Sequence, residues 1–190
     1  MAEVVLFHHA LGLTPGVPAF ADDLRAAGHT VHSPDLFEGR TFDSVEAGVG
    51  HAREIGSGEV LDRGARAVAD LPEALVHAGM SLGVLSAQRL AQTRPGARGA
   101  VLLSSCIPAE EFGCWPDGVP VQVHGMDADP LFVDEGDLAA ARALAGRTDS
   151  AEVFLHPGDQ HHVADRTLPS YEPDAAALLT RRVLDLLAGS

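Results

Sequence analysis

The sequence predicts a three-layer α/β fold: a compact, mostly parallel sheet of about six strands with helices on both faces. Three observations carry this expectation. Strand and helix signals alternate from one end of the chain to the other. Some strand segments are short runs apolar throughout, such as VVLF from Val4 and AVLL from Ala100, which suit strands buried on both faces. The segments between them space their apolar residues as helices do.

In chain order, Val4–His8 reads as the first strand. Gly16–Ala27 reads as a helix with Phe20, Leu24 and Ala27 on one face, and His29–His32 as the second strand. Residues 34–56 are glycine-rich and read as irregular. Val60–Asp70 reads as helix, Ala74–Ala78 as the third strand and Leu82–Ala91 as the next helix. Ala100–Ser104 and Val119–His124 are the fourth and fifth strands. Glu135–Ala145, rich in alanine and leucine, reads as helix, Ala151–His156 as the sixth strand and Pro173–Ala188 as a closing helix. No repeat, linker or low-complexity tract interrupts the pattern, so residues 1–190 are expected to form a single domain.

Composition narrows the partners. The formal charge is −14, and all 13 basic residues are arginine, so the surface is expected to repel nucleic acid and anionic membranes. No apolar run approaches the roughly 20 residues of a membrane helix. The start, MAEVVLF, lacks a basic leader segment and enters a strand at once, which predicts no signal peptide and a cytoplasmic protein. Cys106 and Cys114 are too few for a disulfide framework, and their spacing fits no zinc pattern. His8, His9, His124 and His156 lie at or near strand ends, where backbone hydrogen bonding is expected. No H-x-H or H-x-x-x-H spacing suggests a metal. Neither a metal nor a cofactor is expected, and no G-x-G-x-x-G loop follows the first strand.

The chemistry-bearing segment is Gly79-Met80-Ser81-Leu82-Gly83, a G-x-S-x-G placed between a strand and a helix. A reversal that tight forces unusual dihedrals on the serine and leaves no room for side chains at its glycines. Beyond the fifth strand lie Asp127 and Asp129, and beyond the sixth lie His161 and His162. A serine hydroxyl needs an imidazole to take its proton, and the imidazole needs a carboxylate to fix its tautomer. The order Ser, Asp, His, each just past the carboxyl end of a different strand, is the α/β-hydrolase order. Two backbone N–H groups would then stabilise an oxyanion. The Leu82 amide has the helix N-terminus behind it, and the Ala10 amide, with Leu11 as neighbour, lies on the loop after the first strand. Leu11, Met80, Phe112 and Trp115 are expected as substrate-binding wall residues.

Over nearly its whole length the chain resembles the dienelactone hydrolase family. The likeness is carried by VVLFHHALGLTPG at the start, HTVHSPDLFEGRTF at 29–42, the elbow at 79–83, HGMDADP at 124–130 and HPGDQHH at 156–162. The resemblance implies an α/β-hydrolase fold without a cap domain, in keeping with the short Ile107–Gly118 connection, and a cofactor-free hydrolase of small esters or lactones. It favours Asp129 over Asp127, because Asp129-Pro130-Leu131-Phe132 resembles the run that follows the acid in this superfamily. It also favours His161 over His162, by the spacing from Gly158.

Three departures limit the transfer. The resemblance implies a cysteine nucleophile, a glutamate before the first oxyanion donor and an arginine four residues beyond the base; this chain has Ser81, His9 and Asp165. Asp165 in place of that arginine predicts that neutral substrates are preferred over carboxylate-bearing ones. The expected partner is therefore a small-molecule ester or lactone, with a homodimer left open. The competing reading is a catalytically slow hydrolase-fold protein that binds a small ligand.

Overall fold

Successive side chains of a strand point to opposite faces, so an apolar run supplies two cores at once. In the computed structural model, which describes residues 1–190, β1 (Glu3–Phe7) does this. Val5 and Phe7 enter one buried cluster, and Val4 and Leu6 enter the other. β4 (Gly99–Leu103) splits in the same way, Ala100 and Leu102 against Val101 and Leu103.

The remaining strands are β2 (Thr30–His32), β3 (Val76–Met80), β5 (Val121–Met126) and β6 (Ala151–His156). All pairings are parallel, in the order β2-β1-β3-β4-β5-β6. Helices α1 (Gly16–Ala26) and α7 (Pro173–Ala188) cover one face through Phe20, Leu24, Leu179, Val183 and Leu187. The other face is covered by α2 (Val45–Ile55), α3 (Ser57–Ala67), α4 (Gly83–Thr93) and α6 (Asp137–Ala145), through residues such as Ala52, Val60, Val84, Leu90 and Leu144. A short α5 (Pro130–Val133) precedes α6. No helix is long and apolar enough to cross a membrane.

Several element limits differ from the sequence reading by up to three residues, with β5 at Val121–Met126 rather than Val119–His124 and α3 at Ser57–Ala67 rather than Val60–Asp70. Two further differences bear on the site. Residues 45–55, expected to be irregular, form α2, whose start is capped by Ser44 accepting from the Ala47 amide. Its Gly48 is required: a Cβ there would collide with the Ala10 carbonyl, so the helix lies directly on the loop after β1. β3 sits two residues further along than expected, ending at Met80, because Gly79 and Met80 still pair with Leu102 and Leu103 of β4 before the chain reverses.

Candidate active site

The elbow is a consequence of close packing. Ser81 has φ +48°, in the left-handed region that a non-glycine residue adopts only under constraint. Its amide donates to the Leu103 carbonyl at 2.7 Å, and α4 begins two residues later. A Cβ at Gly79 would strike the Gly83 carbonyl and the Val84 amide, and one at Gly83 would strike the Phe7 and His8 carbonyls. Both glycines are therefore dictated by the turn that presents Ser81.

Three loops converge on that serine. Ser81 Oγ donates to His161 Nε2 at 2.8 Å, and His161 Nδ1 donates to Asp129 Oδ2 at 2.6 Å. Asp129 is 1% exposed, and its other oxygen accepts from the Leu131 amide at 3.0 Å, capping α5. Asp127 is exposed and accepts from the Gly158 amide at 3.0 Å, tying the two loops together, and hydrogen-bonds neither Ser81 nor His161. His162 turns away: its Nε2 is buried without a partner, and burial pushes it well below the ordinary histidine range. The Ala10 and Leu82 amides donate to no protein acceptor.

A cleft of about 280 Å³ opens beside Ser81 and His161. Its apolar wall is Val45 and Val49 of α2, Leu82, Leu85, Ile107 and Leu131; Ser104, Ser105, Glu135 and Asp137 supply the polar part. No arginine lines it. Asp137 is occupied by Ser105 Oγ and by the Cys106 amide, the latter at 2.8 Å.

Several expected wall residues lie elsewhere. Trp115 is buried with its indole Nε1 donating to the Val119 carbonyl at 2.8 Å, and it lines a separate cavity with Cys114 and Arg147. Phe112 follows the short 3-10 turn at Ala109–Glu111 and does not line the cleft, because the segment after β4 is pinned down by Gln88 and Gln92 of α4. Met80 faces the α1/α7 core beneath the serine. Leu11 is buried outside the cleft, its carbonyl accepting from the Phe42 amide at 3.0 Å.

Asp165 is also misplaced by the sequence reading, which put it against substrate. It is 1% exposed and lies behind the serine. Burial pushes its carboxyl up, but hydrogen bonds from His9, Thr14 and Thr167 outweigh this and hold it below the usual carboxylate range. The sequence departures at His9 and Asp165 thus touch each other, at 3.0 Å.

The sequence reading missed Ser104. It has φ +59° at the end of β4, and its Oγ donates to the His161 carbonyl at 2.6 Å, holding the backbone of that histidine. The only signal was its place at a strand's carboxyl end. The cleft residues of α2 were missed with the helix itself.

No protein-family model matches the chain, and neither does any curated protein. Solved structures do match. A dienelactone hydrolase-like promiscuous phosphotriesterase from metagenomic libraries aligns with 99% of this chain and 86% of its own, at 19% identity and TM-score 0.74. A dienelactone hydrolase from Anabaena variabilis aligns with 98% of this chain and 86% of its own, at 17% identity and TM-score 0.70. The esterase PE8 aligns with 98% of this chain and 93% of its own, at 18% identity and TM-score 0.65. At these identities the likeness concerns architecture, and with the parallel sheet and the Ser81 elbow it establishes that the chain has the α/β-hydrolase fold.

Proposed function

We propose that the protein is a serine hydrolase of small, neutral carboxylic esters or lactones, working through an acyl-enzyme. The observation that carries this reading is the unbroken relay from Ser81 Oγ through the His161 ring to the buried Asp129 carboxylate, with both links at 2.8 Å or less. His161 takes the Ser81 proton as Oγ attacks the substrate carbonyl carbon, and Asp129 stabilises the imidazolium that forms. The oxyanion receives the free amides of Ala10 and Leu82, aided by the N-terminal end of α4. His161 then protonates the departing alkoxide. A water deprotonated by His161 attacks the acyl-serine and releases the acid, restoring Ser81.

Cleft size and charge narrow the substrate. About 280 Å³ with an apolar wall suits a short acyl or small lactone ring. Glu135 and Asp137 on its rim, without any arginine, disfavour a substrate carboxylate. Ester-type chemistry also fits the dienelactone hydrolases and esterases that share the fold. The test is a panel of short-chain esters and lactones assayed with the purified protein and with Ser81→Ala. Turnover in the former alone supports the reading. Ligand binding without turnover by either would favour the small-ligand binder instead.

A further inference from the structure

His9 is a buried group beside the active site that the proposed reaction leaves unused, and its geometry gives it a task. His9 is 1% exposed and immediately precedes Ala10. Its Nε2 donates to Asp165 Oδ2 at 3.0 Å, while its Nδ1 has no partner, so a single side-chain hydrogen bond fixes the ring. Asp165 is itself over-determined. It accepts from Thr14 Oγ1 at 2.5 Å, from the Thr167 amide at 2.8 Å and from Thr167 Oγ1 at 2.6 Å. Gly16 must be glycine, because a Cβ there would overlap the Asp165 carboxylate.

The network therefore ties the loop after β1, which carries Ala10, to the segment after β6, which carries His161. The His9 ring also packs on His162 with centroids 4.5 Å apart, and His162 packs on His161 at 4.7 Å. On its opposite side, Ala10 rests against α2 at Gly48.

Resting on the hydrolase reading above, we infer that His9 is a positioning residue: its bond to Asp165 holds the Ala10 amide in register with the serine–histidine pair, so that the oxyanion donor and the base share one rigid support. An oxyanion donor acts only when it lies within about 3 Å of where the negative oxygen will form, and a misplacement of about 1 Å costs on the order of 100-fold in rate. His9 would thus act on the transition state and leave ground-state binding alone.

The experiment compares wild type, His9→Leu, His9→Gln and the double variant His9→Leu/Asp165→Asn in steady-state hydrolysis of a neutral short-chain ester, with thermal melting alongside. His9→Gln keeps an N–H donor of similar reach. Leucine at 9 strands the Asp165 charge and can unfold the chain, and the double variant removes that charge. Expected are a kcat lowered about 10- to 100-fold with KM within about twofold in whichever leucine variant folds, and recovery to within about threefold of wild type in His9→Gln. An unchanged kcat in a folded leucine variant overturns the positioning role and leaves the hydrolase reading intact. So does a loss confined to KM, or a glutamine variant as impaired as the leucine one. A wild type that turns over no ester overturns the hydrolase reading, and the positioning role with it.

Discussion

His161 and His124 each place a ring nitrogen within hydrogen-bond distance of another side chain, but their surroundings differ. His161 Nδ1 faces a carboxylate, Asp129, at 2.6 Å, and its Nε2 faces Ser81 at the floor of an open cleft. His124, on β5, meets His156 Nε2 at 3.2 Å and Gln122 Oε1 at 3.2 Å, and is 1% exposed. Burial, with His156 and Arg182 nearby, pushes His124 down to about 3. An imidazole becomes a useful base when a carboxylate stands behind it and a substrate can reach its front. Without both, it is a neutral packing unit.

The largest effect that sharpens this contrast comes from removing the His161 imidazole or the carboxylate behind it. His161→Ala is expected to lower kcat by roughly 10³-fold or more, on the scale of triad members, and Asp129→Asn by a comparable or somewhat smaller factor. His124→Gln should leave kcat within about twofold, since it touches neither cleft nor serine. Steady-state kinetics on a short ester checks all three, and a large loss in His124→Gln would dissolve the distinction.

The buried histidines have their own signature in stability. His8 and His77 are pushed down to about 4 by burial, as His124 is pushed down further. In the unfolded chain each takes up a proton near 6.5; in the folded protein each stays neutral until far lower pH. Stability is thus fully present above about pH 6.5 and is lost as pH falls toward about 4, each group costing up to about 2 kcal/mol by pH 5. Asp165 does not offset this, because its depressed carboxyl contributes stability that is lost only below its ordinary value near 3.8. Urea midpoints at pH 7.5 and pH 5 should show the fall; an equal or higher midpoint at pH 5 contradicts it.

The smallest expected effect concerns substrate charge at the cleft that His161 faces. A neutral ester should be hydrolysed with a several-fold higher kcat/KM than its carboxylate-bearing analogue at low salt, with the gap narrowing in Glu135→Gln and in high salt. A preference for the anionic analogue in the unmodified protein would refute this.

Much of the sheet was legible because β1 and β4 are apolar on both faces and strand and helix signals alternate, and β6 and α7 coincide with their expected limits. The loops that bring Ser81, Asp129 and His161 together were legible because each follows a strand end, while the choice of Asp129 and His161 over their neighbours rested on the family resemblance. The cleft wall was not. Gly48 and Gly50 break the helical signal of α2, and only the tertiary contact with Ala10 explains why Gly48 belongs there. Trp115 and Phe112 looked like wall residues because aromatic side chains suit ligand pockets, but their placement depends on how Gln88 and Gln92 anchor the segment after β4. Asp165 was read from its spacing to His161, and spacing alone does not say on which side of the serine a carboxylate lies.

The central claim is that Ser81 is the group His161 activates. A fluorophosphonate, which phosphonylates an activated serine with loss of fluoride, tests it most directly when the adduct is mapped by peptide mass spectrometry. The account predicts one adduct, on Ser81, absent in Ser81→Ala and strongly slowed in His161→Ala. Labelling retained in Ser81→Ala, or mapped to Ser104 or Ser86, would contradict it.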